Sequence, residues 1–304
     1  MQEKRKRKTV NRKSNRQKMF FLLTLISLLL VLVVILLPPR GGKPGPEYPE
    51  IAPTADSRLA EPVLTPRPTR RESQSGALPP APEGRGRLAL VIDDAGNSLA
   101  DLQPFIRAEL KLTIAVLPGL AYSAESARLA QNRGKEVILH QPLEAVNGNA
   151  LGPGGILTTD SPEVILETLD TNFASIPGLK GMNNHMGSLG TADPRVMDIL
   201  MGFLAKQGIF FLDSRTTART VAGEYAGGHG VPFASRDVFL DNVVEREAIS
   251  ARLEEGAHLA LERGSAILIG HVHNNLVMEV VNAAFAGLEK RGLEFVFLSE
   301  LVAH

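Results

Sequence analysis

Eight apolar, strand-like runs alternate with helix-forming stretches from residue 88 to the C-terminus, and that rhythm leaves few folds open to the chain. The runs are LALVIDD (88–94), KLTIAVLP (111–118), KEVILHQ (135–141), LKGMNNH (179–185), GIFFLDS (208–214), VPFASRDVFLD (231–241), SAILIGH (265–271) and LEFVFLSEL (293–301). Most are apolar on both faces, as strands covered on both sides must be. Strands separated by helices are joined in parallel, so the expected fold class is α/β, built as a parallel sheet or barrel.

Helix punctuation agrees with this reading. Ser123 precedes AESARLAQNR and Gly134 follows it; Ser161 and Pro162 open EVILETLDTNF; Asp193 and Pro194 open a helix that Gly208 closes. Between residues 245 and 263, Ile249, Leu253, Ala257 and Leu261 recur every four residues and are expected to form one buried stripe. No composition shift interrupts residues 88–304, which read as one domain.

The first 87 residues have a different character. Residues 19–37 form 19 consecutive uncharged, mostly aliphatic residues, the length of a bilayer-spanning helix. Nine basic residues precede them against the single acid Glu3, which keeps residues 1–18 as a cytoplasmic tail. The span ends LLPPRGG without an AxA-like cleavage site, so it reads as an uncleaved transmembrane anchor rather than a signal peptide. In residues 38–87, 12 of 50 residues are Pro, the composition of an extended, disordered linker. The expected protein is single-pass in the inner (cytoplasmic) membrane, held by the lipid bilayer, with its domain on the periplasmic or extracellular side.

Charge divides along the same line. Residues 1–87 carry 17 basic and 7 acidic residues, a net of +10, whereas residues 88–304 carry 16 and 26, a net of −10. An acidic domain is repelled by a polyanion, which excludes nucleic acid as its partner. Cysteine is absent, so disulfides, thiolate catalysis, zinc fingers and iron–sulfur clusters are excluded together. Any metal must be held by His, Asp or Glu.

Five of the runs end in acids and histidines: IDDAG (92–96), LHQPLE (139–144), MNNHMGS (182–188), FLDSRT (211–216) and IGHVHNN (269–275). Strand C-termini converge on one face of a parallel sheet or barrel, so these clusters meet there and point to a metal-assisted hydrolase. Asp93 and Asp94 are adjacent in a strand, which places one carboxylate toward a metal and the other on the opposite side; the bland alternative is a capped turn. His140 stands four residues before Glu144 and shares a face with it if a helical turn follows, although Pro142 favours a bent loop. His185 is flanked by Asn183 and Asn184, amides suited to fixing its imidazole or binding a substrate hydroxyl or amide. Asp213 and Arg215 either close the rim as a pair or orient a histidine and a catalytic acid respectively. His271 and His273 alternate along a strand, share a face, and suit proton donation to a leaving group at neutral pH. His229, His258 and His304 lack such surroundings and read as structural or exposed. Ser214 sits outside any GxSxG context, so acyl-enzyme chemistry is weakly supported.

With these clusters in this order, nearly all of residues 88–304 resembles the divergent polysaccharide deacetylase family, most specifically through LVIDDAG, GMNNHMGS, FFLDSRTT, DVFLDN and IGHVHNN. The resemblance implies a distorted (β/α) barrel of about seven strands and a divalent metal, Zn²⁺ by its ligands, in a hydrolase of N-acetylated polysaccharide such as peptidoglycan or another envelope glycan. It implies Asp93 as general base, Asp94 and His140 as metal ligands and His271 as catalytic acid. Where the wider superfamily places a second histidine four residues after the first, this chain has Glu144. Either Glu144 completes the metal shell or His185 supplies the missing imidazole, and His185 is the expected ligand. The competing function is a barrel without turnover that binds glycan or protein in the envelope.

Overall fold

The computed structural model describes residues 85–302. The segments expected to be a cytoplasmic tail, a transmembrane anchor and, as far as residue 84, a linker lie outside the described residues, as does His304. Among the described residues no helix is long and apolar enough to cross a membrane.

In chain order the elements are β1 (Gly86–Ala95), α1 (Leu99–Arg107), β2 (Thr113–Val116), α2 (Ser123–Asn132), β3 (Glu136–Leu143), α3 (Pro162–Ser175), β4 (Gly181–Met186), α4 (Pro194–Gln207), β5 (Phe210–Asp213), α5 (Ala222–His229), β6 (Phe233–Ser235), β7 (Val238–Phe239), α6 (Arg246–Arg263), β8 (Ser265–His271), α7 (Asn275–Lys290) and β9 (Leu293–Val296). The first strand thus begins at Gly86, inside the stretch read as linker. Ser161 and Asp193 cap α3 and α4 as their positions suggest, accepting from the N–H groups of Val164 and Val196. Ser123 instead lies within α2, where its hydroxyl accepts from Leu120 N–H and donates to Leu117 O.

Nine strands form one sheet, two more than the family resemblance suggests, because the run at 231–241 divides into β6 and β7 and β9 adds an outlying member. The order is β6-β5-β4-β3-β2-β1-β8-β7, with parallel pairing throughout. β9 pairs with Gly86–Ala89 of β1, below the stretch Val91–Ala95 that pairs with β2. The two end strands, β6 and β7, are neighbours in sequence, separated only by Arg236 and Asp237. Arg236 N–H donates to Asp213 O on β5, and Asp237 N–H donates to Ile267 O on β8. Two residues therefore bridge the open edge and curl the sheet into a distorted (β/α) barrel.

Strand alternation sorts the core into two layers. Leu88, Leu90 and Ile92 of β1, Leu139 of β3, Met182 of β4, Phe211 of β5 and Leu268 of β8 pack outward under the helices. Ala89, Val91, Ala115, Ile138, Leu212, Ile267 and Ile269 point inward and fill the barrel with Leu298, Leu301 and Val302. That C-terminal segment stops the strand N-terminal end, where Leu298 N–H donates to Thr113 Oγ1 and Ser299 N–H to Glu136 Oε1, both at 3.1 Å. Each such buried aliphatic side chain contributes about 1.5–3 kcal/mol. On α6 the expected stripe holds for Ile249, Leu253 and Ala257, but Leu261 is exposed and Ala260 is buried in its place. A four-residue spacing drifts against the 3.6-residue turn, so the fourth member has rotated off the buried face.

Candidate active site

The inward columns that begin apolar end polar. Ala89 and Val91 are followed by Asp93, Ile138 by His140, Leu212 by Ser214, and Ile267 and Ile269 by His271; on β4 Asn183 and His185 continue the column that opens at Gly181. Register supports the convergence, since Asp93 lies beside His271 across β1 and β8, and His140 beside Asn183 across β3 and β4.

Asp94 breaks this parity. It should follow Ile92 outward, yet its φ of 66° places it in the left-handed region, and the β1–β2 register shifts between Ile92 and Ala95. A non-glycine residue held there costs about 1–3 kcal/mol. The bend turns its carboxylate inward, so both aspartates face one imidazole: His140 Nε2 is 3.2 Å from Asp94 Oδ1 and 3.7 Å from Asp93 Oδ2. The expectation that the pair would straddle the strand is corrected by this conformation. Met186 (φ 49°) and Arg215 (φ 49°) are the other non-glycine residues with left-handed backbone among the described residues, both at strand ends beside the site.

Asp94 Oδ1, His140 Nε2 and His185 Nδ1 lie within 4.8 Å of one another. His185 Nδ1 is 2.9 Å from Asp94 Oδ1 and 3.2 Å from His140 Nε2. Although Asp94 Oδ1 is buried and close to both rings, it has no partner with hydrogen-bond geometry among the described residues. An unpartnered carboxylate oxygen crowded against two imidazole nitrogens fits the ligands of a shared cation, and two imidazoles with one carboxylate suit a borderline divalent ion.

Asn183 sets the tautomer that such a role needs. Its Nδ2 donates to Asp93 Oδ1 at 2.9 Å and to Ser214 Oγ at 3.3 Å, which turns its Oδ1 toward His140 Nδ1 at 2.8 Å. His140 then donates from Nδ1 and keeps the lone pair of Nε2 toward Asp94. Burial opposes charge on His140, but the carboxylates of Asp93 and Asp94 outweigh it and raise its pKa. The same pull for positive charge favours a cation in that space. Burial also opposes charge on Asp94, and the two imidazoles overcome it and hold its pKa far below the usual carboxylate range. For Asp93 burial prevails and raises the pKa, despite His140 and His271.

His271 has the partner that sequence assigned elsewhere. Its Nδ1 lies 2.8 Å from Asp241 Oδ1, and its backbone N–H donates to Asp241 Oδ2 at 3.0 Å. Burial lowers the pKa of the ring, but Asp241 reverses this and pushes it up to about 9, leaving it protonated at neutral pH. Phe239 stacks on the His271 ring with centroids 5.8 Å apart, and the Arg236 guanidinium covers Phe239 at 3.8 Å. Arg236 is fixed by donating Nε–H to Ser214 O. Asp241 and Arg236 are the functional residues that sequence reasoning missed. Asp241 carried a signal, because VFLD repeats the pattern of an apolar run ending in an acid and shares parity with inward Phe239.

Several expected site residues are employed otherwise. Asp213 continues the outward column of Phe211, and its oxygens accept from Arg215 N–H and Thr220 Oγ1, both at 2.8 Å, so it orients no histidine. Arg215 is exposed and joins this loop through its backbone. Asn184 faces outward with Met182 and clamps Met186 O to Ser214 N–H, and buried Asn183 spends its amide on Asp93, Ser214 and His140; neither is open to a substrate. Glu144 accepts from Thr158 N–H and Oγ1 at 2.6 Å and stands outside the ligand cluster. His273 is exposed at the rim, its Nδ1 3.9 Å from Asp94 Oδ2. His229 pairs with Asp198 and His258 with Glu262 on the surface.

Residues 90–302 match the family described as divergent polysaccharide deacetylase. The chain belongs to that family. The chain is 33% identical over 193 residues to an uncharacterized protein of Haemophilus influenzae, covering 64% of this chain and 69% of that one. It is also 33% identical over 188 residues to the uncharacterized protein YibQ of Escherichia coli K12, covering 62% and 59%. Among solved structures, an uncharacterized protein from Agrobacterium tumefaciens C58 shares the fold with a TM-score of 0.67 at 26% identity, over 73% of this chain and 92% of that one.

Proposed function

We propose that the protein is a metal-dependent N-deacetylase of an N-acetylated polysaccharide of the cell envelope, peptidoglycan being the leading candidate. It would be tethered to the inner membrane by residues 19–37, with its domain on the far side. The observation that carries this reading is the convergence of Asp94 Oδ1, His140 Nε2 and His185 Nδ1 beside the buried Asp93 carboxylate. These three side chains would hold the ion, and Zn²⁺ suits their chemistry. When bound, the ion supplies Lewis-acid activation of an amide carbonyl and of water.

The chain's own residues do the rest. Asp93, kept basic enough by burial, takes a proton from the attacking water as oxygen joins the amide carbon. His271, charged at neutral pH by Asp241, gives its Nε2 proton to the nitrogen as the carbon–nitrogen bond breaks. The products are acetate and a free amino sugar. Asn183 holds Asp93 and His140 in their roles, and His273 stands where substrate enters.

The test is acetate release from N-acetylated glycans by the full-length protein, before and after chelation and after Zn²⁺ is restored. Activity that disappears and returns supports the reading. A protein that binds Zn²⁺ and glycan yet releases no acetate would be the turnover-free envelope binder instead.

A further inference from the structure

Two arginines stand where β5 and β6 end, on the face that carries the catalytic residues, and the deacetylase chemistry uses neither. Arg236 follows β6 directly, and Arg215 lies just past β5. Arg236 is half-buried. Its Nε and Nη2 are spent on Ser214 O and Arg215 O, and its guanidinium covers Phe239, which stacks in turn on the His271 ring. Among the described residues the Nη1 group of Arg236 has no hydrogen-bond or ion partner, and the exposed Arg215 joins its surroundings through its backbone alone.

The acids nearby are engaged elsewhere. Asp213 accepts from Arg215 N–H and Thr220 Oγ1, and Asp93 accepts from Asn183. Asp237 accepts from Ile267 N–H and lies 3.8 Å from Arg263. Burial, joined by the Arg215 guanidinium, therefore lowers the Arg236 pKa in spite of these three carboxylates. A cation so placed is costly until an anion completes it, and the free edge of a guanidinium matches a planar carboxylate.

Across the site the charge is reversed. The cavity of about 300 Å³ beside Asp94 and His185 is lined by Asn97, Ser98 and Asp101 and, among the described residues, by no lysine or arginine. Asp101 repels an anion there, which directs a charged substituent of the substrate to the arginine side.

Building on the deacetylase reading, we propose that Arg215 and Arg236 form an anion subsite for a carboxylate on the sugar next to the one that loses its acetyl group, so that the substrate is an acidic N-acetylated glycan rather than a neutral one. Two sources carry that chemistry: a muramic acid whose lactyl group bears no peptide, and a uronic acid. The experiment uses the full-length Zn²⁺-loaded protein and two tetrasaccharides, N-acetylglucosamine alternating with N-acetylmuramic acid or with glucuronic acid, each with its carboxylates free or converted to methylamides. Affinity is read by calorimetry and turnover by acetate release. The preferred chain should bind about tenfold more tightly free than amidated, and added salt should shrink that ratio. Arg236→Gln should bring the two forms to within about twofold, and Arg215→Ala, at an exposed side chain, should cut the preference about threefold. Bound Zn²⁺ and melting temperature show that each variant is folded, and if Arg236→Gln is not, Arg215→Ala decides. The chain that shows the preference identifies the source of the carboxylate. Equal affinity for free and amidated forms, binding of neither chain, or a preference that survives the substitutions overturns the subsite. If no acetate is released, the deacetylase reading fails on its own, and the ratio of free to amidated affinity still supports or overturns the anion subsite.

Discussion

The ends of β1 and β5 share one pattern, an apolar run closed by an aspartate in LVIDD and IFFLDS, and the structure uses them in opposite ways. On β1, Asp93 falls on the inward column and left-handed Asp94 is turned to join it, so two carboxylates reach one imidazole. On β5, Asp213 falls on the outward column and is consumed by its own loop, while Ser214 takes the inward place. Position relative to the strand's parity, together with a single strained residue, separates a reactive acid from a structural one.

The sharpest way to break this comparison is at Asp94. Asp94→Ala should reduce bound Zn²⁺ to below about a tenth of one equivalent and abolish activity, because the two remaining imidazoles would be left to hold the ion. Elemental analysis checks it, and full metal content would remove Asp94 from the ligand set. Asp93→Asn should keep the metal yet lower kcat about 10³-fold, with thermal stability preserved or raised since a buried charge is gone. Steady-state kinetics beside a melting curve would show the two effects apart.

Asp241 extends the inward pattern two residues past the end of β7, and its effect lies in pH. The acid form of His271 is present below its pKa of about 9 and lost above it. Asp241→Asn removes the group that raises this value, so the alkaline limb of the rate profile should move down toward about 6.5, the ordinary histidine value. A limb that stays in place would show that His271 is not the acid. At Asp213 the smallest catalytic effect is expected. Asp213→Ala should cost about 2–3 kcal/mol of stability by stranding Arg215 N–H and the Thr220 hydroxyl, while kcat per folded molecule stays within about twofold. Denaturant unfolding and active-site-normalised rates give both numbers, and a 10³-fold loss of kcat would erase the distinction between the two strands.

Much of this was legible in the sequence, and the reasons for success and failure are physical. The alternation of runs and helix caps announced a parallel α/β sheet or barrel because apolar period and capping chemistry are local, and the family resemblance alone chose the barrel. The convergence of His140, His185 and His271 was legible because each stands at the C-terminal end of an apolar run, and those ends lie on one face. The role of Asp213 was misjudged because residue type was weighed and parity was not: Phe211 is outward, so Asp213 is too. The position of Asp94 could not be read from parity, since a left-handed non-glycine residue leaves no mark in the residues around it. The division of VPFASRDVFLD into two strands at opposite edges was hidden for a different reason, being set by closure of the whole sheet.

That closure makes Arg236 and Asp237 a clasp on a hoop. Around the sheet, β5 and β8 are separated by four strands, β4, β3, β2 and β1, yet through the clasp they are two residues apart. A displacement of the His271 strand therefore reaches Asp213 and the Ser214–Asn183 pair through two backbone hydrogen bonds and the single peptide unit between them, a shorter route than four strands of ladder. The acid and the residue that holds the base share one short mechanical link, and the hoop can breathe only if both move together.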